Sequence, residues 1–107
     1  MSVIDDVTAA RARQQALDGQ QDYADGTGPE VLWGRTDIAR HVAMHAQHEC
    51  LGRLTQGRAT WLDILHADTA EAFAQDDPAK LRAALIRVAV DAVAWAEAID
   101  RRGGAPS

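Results

Sequence analysis

Residues 38–73 read IARHVAMHAQHECLGRLTQGRATWLDILHADTAEAF, and this stretch decides the fold. Gln56-Gly57-Arg58 divides it into two helical runs, and Thr60 followed by Asp63 is a start signal for the second. In the first run His41, His45 and His48 stand at i, i+4 and i+7, so they share one helix face. Ile38, Val42, Met44 and Leu51 flank that stripe, which predicts that it looks into the protein. In the second run Asp68 and Glu71 lie among Trp61, Ile64, Leu65 and Ala72. Counting back from the turn in an antiparallel pair sets His48 level with Asp68 and His45 level with Glu71. Imidazoles and carboxylates at one depth in a bundle are how helical proteins build metal sites. The pattern predicts His41, His45, His48, Asp68 and Glu71 as ligands of a divalent metal, with Zn, Fe or Mn ahead of Mg. Asp68, Glu71, His45 and His48 are the expected catalytic groups. The same side chains also fit a metal-free cluster of ion pairs.

The flanking sequence extends the helical pattern. Ser2 with Asp5 opens a helix that runs to about Leu17 and stops at Gly19. Gly19 to Pro29, with Asp25-Gly26-Thr27-Gly28 inside it, reads as an irregular loop. The second helix is expected from near Thr36 to near Gly57, and the third from Thr60 until it fades at Gln75. Asp77-Pro78 is an N-cap followed by proline at the first helical position, and the helix it starts continues through Arg101 to the stop at Arg102-Gly103-Gly104. No β alternation interrupts this order. The expectation is an all-α, four-helix domain over residues 1–102 with a tail at 103–107.

Two helices carry more apolar surface than four short helices can cover. The fourth has one stripe in Leu81, Leu85, Val88, Ala92, Trp95 and Ile99, and another in Ile86, Val90 and Val93. The second helix has a small-residue back face of Ala39, Ala43, Ala46, Cys50 and Leu54. A second copy of the chain would cover these faces, so a homodimer is predicted.

Composition narrows the function classes. The 107 residues are enough for one modest core, and the excess of Ala over aromatics favours close-packed helices. With a net charge of −5 and scattered basic residues, a nucleic-acid groove is not expected. A single cysteine forms no intrachain disulfide and fits a reducing compartment. The sequence shows neither a membrane-spanning run nor a signal peptide, which predicts a cytoplasmic protein with a small-molecule substrate.

Two segments resemble the MazG-like, all-α nucleotide pyrophosphohydrolase superfamily, in particular its small actinobacterial and phage members. The first is Arg11-Ala12-Arg13-Gln14 followed by Gly19, Gln21, Asp25, Gly26, Thr27 and Gly28. The second is Thr60-Trp61-Leu62-Asp63-Ile64-Leu65 on to Glu71-Ala72, then Leu81-Arg82-Ala83 and Ala94-Trp95 to Arg102. The likeness spans most of the chain outside residues 29–55. It implies a helical scaffold on which an E-E-x-x-E run and a later E-x-x-D pair hold magnesium for attack on a nucleoside triphosphate. It also implies substrate-side roles for Arg11, Arg13, Gln14 and Gln21.

The departures fall on the acids. The first run reads Ala67-Asp68-Thr69-Ala70-Glu71, and Ala84 and Arg87 stand where the later carboxylates sit in the family. Ala10, Asp18, Tyr23 and Ala24 replace further motif residues. Asp91 lies on the same helix line as Ala84, but level counting puts it beside Leu62, too deep to substitute. Arg87 is expected to meet substrate charge.

Three functions follow as expectations. The first is a small-molecule enzyme whose acidic site has been rebuilt with histidines. The second is a pyrophosphohydrolase keeping the ancestral reaction with fewer ligands, and the third is a non-catalytic binding or interaction module. Trp61 and Trp95 are expected in the core, Trp33 at an entrance, and Cys50 as a buried inert thiol, with His66 outside the site.

Overall fold

The computed structural model describes residues 2–20, 22–28 and 38–103. Among the described residues there are four helices: α1 (Val3–Asp18), α2 (Ile38–Thr55), α3 (Trp61–Phe73) and α4 (Pro78–Arg102). No strand occurs among the described residues. The expected start of the second helix near Thr36, and Trp33, lie outside the described residues.

The helix ends follow from their capping residues. Ser2 Oγ accepts the Asp5 N–H at 3.1 Å at the start of α1. Gly19 closes that helix at φ 70°, a left-handed conformation that glycine enters without a Cβ clash, and its N–H donates to the Gln15 carbonyl at 2.8 Å. Thr60 and Asp63 form a reciprocal capping box on α3: Asp63 N–H donates to Thr60 Oγ1 at 3.2 Å and Thr60 N–H to Asp63 Oδ2 at 2.9 Å. The Asp77 carbonyl accepts the Leu81 N–H at 2.8 Å, placing Pro78 at the head of α4, where its missing N–H costs nothing.

The chain forms two compact units. One spans Gly26–Ala92; the other unites α1 with the part of α4 from Val93 onward. Within the first unit α2 and α3 pair as a hairpin whose seam is almost wholly alanine. Ala39, Ala43, Ala46 and Cys50 from α2 meet Ala67, Ala70 and Ala74, with Ile64 packed alongside. A second small core joins Ala72 to Leu81 and Ala84 of α4, with Val88 against it. Alanine lets two helix backbones approach closely, so dispersion contacts here involve main chain as much as side chain. In the second unit Ala98 is buried, and α1 has no buried residue.

This arrangement corrects the expected orientation of α2. The alanine line recurs at i, i+4, i+7 and i+11 and is the face turned to α3; Ala43 is 0% exposed. It had been expected to form the back. The histidine stripe begins two residues later, about 200° around the helix, and therefore points outward. Its neighbours Val42, Met44 and Leu51 are exposed with it. Side-chain bulk misleads here because the tightest helix contact is made by the smallest residues. On α4 neither expected stripe is covered throughout. Leu81, Ala84, Val88 and Asp91 form the inward line, while Leu85, Ile86, Val90 and Ile99 are exposed.

The loop before α2 is anchored where α3 ends. Gly28 N–H donates to the Phe73 carbonyl at 2.9 Å and Thr27 Oγ1 to the Gln75 carbonyl at 2.8 Å. These bonds occupy acceptors that a helix terminus leaves without an intrahelical partner. Gly28 is buried at φ 103°, and a Cβ there would stand 3.2 Å from the Cβ of Asp76. The positive φ favours glycine, and any larger residue would also press on the Asp76 side chain.

Candidate functional site

Two carboxyl groups from different helices meet beneath the first unit's surface. Asp68 is a half-buried residue of α3, and Asp91 is half-buried on the inward line of α4. Asp91 Oδ2 is buried, and among the described residues no donor reaches it. Burial pushes the Asp91 carboxyl up to about 6, reinforced by a hydrogen bond with Asp68 and by its negative charge, while Arg87 acts in the opposite direction. Two ionised carboxylates can donate nothing to one another, whereas a proton held by Asp91 supplies the missing donor. The pair can thus share a proton.

Level counting had placed Asp91 beside Leu62. In the structure Asp91 is instead a neighbour of Asp68, whose hydrogen bond and charge act on it. The available signal was an acid continuing the apolar line of Leu81, Ala84 and Val88 at i+10 from Leu81.

Glu71 meets side chains other than the histidine expected beside it. It accepts Arg40 Nη1 on both oxygens at 3.0 and 2.9 Å, Gln47 Nε2 at 2.7 Å and Gln75 Nε2 at 2.6 Å. With its charge compensated and its lone pairs occupied, Glu71 fastens α2 to α3. A second fastening at the other end of the hairpin joins Arg53 to Asp63, and Arg53 also lies 3.8 Å from Glu49. The Asp63 carboxyl is held below the usual carboxylate range, first by the Thr60 backbone N–H and then, against slight burial, by the Thr60 hydroxyl and Arg53.

The histidines stand apart from these acids. His41 and His48 are exposed, and the His45 side chain is 76% exposed, with Nε2 3.9 Å from Glu49 Oε1 on its own helix. His48 borders a shallow polar cavity of about 210 Å³ shared with Glu49, Arg53 and Arg58. Among the described residues no three His, Cys, Asp or Glu side chains converge as a metal group. The expected alignment of His45 with Glu71 and of His48 with Asp68 is therefore not the arrangement adopted, because the alanine face of α2 occupies the seam.

The remaining site expectations divide between the two units. Arg11 Nη1 donates to Gln14 Oε1 at 3.1 Å along exposed α1, and Arg13 is exposed nearby. Gln21 lies outside the described residues. Arg87 is exposed on α4, where its charge bears on Asp91. Cys50 is buried in the α2–α3 seam; desolvation raises its thiol pKa first, with Asp63 and Asp68 adding to the effect, so the protonated and unreactive form is favoured. Trp61 and Trp95 are half-buried and His66 is exposed. No described helix is long and apolar enough to cross a membrane. In comparisons with family models, characterised proteins and solved structures, nothing matches this chain.

Proposed function

We propose that this chain is a divergent MazG-like protein whose acidic site has been rebuilt around Asp68 and Asp91, and that it hydrolyses a small phosphoanhydride, nucleoside triphosphates foremost. One observation carries the reading: a carboxyl on α4 meets a carboxyl on α3 and leaves a buried oxygen without a donor. The family's second acidic pair is absent at Ala84 and Arg87, and Asp91 restores a carboxylate from that helix.

The donor set suits a hard divalent cation. Asp68 and Asp91 offer only oxygen, which favours magnesium or manganese over the softer metals expected when histidines were included. Such an ion, when bound, supplies charge neutralisation to phosphate oxygens and polarises water. Asp68 and Asp91 would hold it, and Arg87 adds positive charge on the same helix for an anionic substrate. Glu71 acts through structure, holding Arg40, Gln47 and Gln75 while the two aspartates remain available. Without a cation, Asp91 keeps a proton below about pH 6 and Asp68 accepts its hydrogen bond; above that pH the proton is lost.

A panel of NTPs and dNTPs with Mg or Mn, assayed for pyrophosphate release, tests the proposal. Asp68→Asn and Asp91→Asn are each expected to lower kcat/KM by roughly 100-fold or more. Wild-type turnover no higher than that of Asp68→Asn would remove the assignment.

A further inference from the structure

The outward face of α2 carries chemistry that the carboxylate pair does not use. His41 and His45 stand one helical turn apart on that face and are both exposed. Side chains at i and i+4 are neighbours on a helix surface, and two imidazoles at that spacing can chelate one transition-metal ion. Glu49 lies one turn beyond them, with Oε1 3.9 Å from His45 Nε2. No described element covers this stripe, and the exposed Val42, Met44 and Leu51 surround it with apolar surface.

A single helix leaves such a site incomplete. Zinc in a closed protein site takes four ligands in a tetrahedron, and among the described residues no third His, Cys, Asp or Glu completes a metal group on one chain. A second copy meeting this face about a two-fold axis would present the same pair, since a two-fold interface uses one patch twice. Two copies supply four imidazoles. The flanking Val42, Met44 and Leu51 would lose exposed apolar surface in the same contact.

We propose that His41 and His45 form half of a zinc site, and that two copies of this chain close it through the outer faces of their α2 helices. The site is separate from Asp68 and Asp91, and its ligands are imidazole nitrogens rather than hard oxygens. His48 is a neighbour of the site and not a ligand: it lies over the polar cavity with Arg53 and Arg58, toward the end of α2.

The test uses untagged full chain carrying Asp91→Asn, so that the carboxylate pair does not compete for the ion, titrated with zinc chloride alone by calorimetry. The expected result is one zinc per two chains. His45→Ala should weaken binding at least tenfold, while His48→Ala leaves affinity within a factor of about three, inside the usual range for a surface change away from the site. Because all three histidines are exposed, these variants are expected to fold, and circular dichroism checks it. Absence of zinc binding, one zinc per chain, or equal affinity with and without His45→Ala in the Asp91→Asn chain overturns the proposal. A tenfold loss in His48→Ala overturns the choice of ligands.

Discussion

Asp91→Asn is expected to stabilise the metal-free protein at neutral pH while removing the proposed activity. The wild-type carboxyl is raised from 3.8 to about 6 on folding. Its folded pKa lies above its unfolded one, so between about pH 4 and 6 the folded state keeps a proton that the unfolded chain has released. Stability therefore falls as pH rises through that window and levels off above it. Roughly two pKa units at about 1.4 kcal/mol each set a ceiling near 3 kcal/mol. Asp91 is half-buried rather than sealed, and solvent screening brings the expected effect to about 1–2 kcal/mol. Asparagine carries a permanent N–H donor toward Asp68 and no charge, so the variant loses the downward slope and gains that amount near pH 7.5. Urea unfolding in the presence of EDTA, at intervals from about pH 4 to 8, measures both. A variant less stable than wild type at neutral pH, or one with the same slope between pH 4 and 6, would refute the account of the Asp68–Asp91 contact.

Three further outcomes follow from the packing. Ala43→Leu should destabilise by about 1–3 kcal/mol or more because the site has no free volume, whereas His45→Ala should stay within about 0.5 kcal/mol; thermal melts of the two variants show which face of α2 lies inside. Glu71→Ala leaves Arg40, Gln47 and Gln75 without their common acceptor and should cost about 1–3 kcal/mol in urea unfolding, with Glu71→Gln intermediate. Thr60→Ala removes the hydroxyl that caps α3 and should cost about 1 kcal/mol by the same measurement.

Helix existence and most boundaries were legible because they rest on local chemistry. Ser2, Gly19, Thr60 with Asp63, and Asp77-Pro78 act within a few residues of themselves, so their effects are written in the sequence. The facing of α2 was not legible by hydrophobic bulk. Ile38, Val42, Met44 and Leu51 outweigh four small residues on any hydropathy scale, yet close backbone approach along Ala39, Ala43, Ala46 and Cys50 decides the contact. That choice displaced the histidines from the expected cluster. Asp68 was identified as a site residue, but its partner was not. The Asp68–Asp91 contact is tertiary, made between two helices, and counting levels across the α3–α4 turn does not locate it.

The alanine seam has a consequence for uniqueness. Methyl groups carry no rotamers to freeze, so the seam forms with little side-chain entropy loss, but they also make shallow ridges that interlock weakly. A hairpin joined by such a surface could slide by one helical turn and bury nearly the same methyls. Sliding is opposed by the groups that cannot be exchanged: Arg40 on Glu71 at one end and Arg53 on Asp63 at the other. Whatever depth they add to the native state, these partly exposed ion pairs also act as alignment pins. Weakening both pins together, by substitution or by strong salt, should leave helix content intact while the α2–α3 hairpin samples more than one alignment, visible as doubled or broadened amide resonances along the seam.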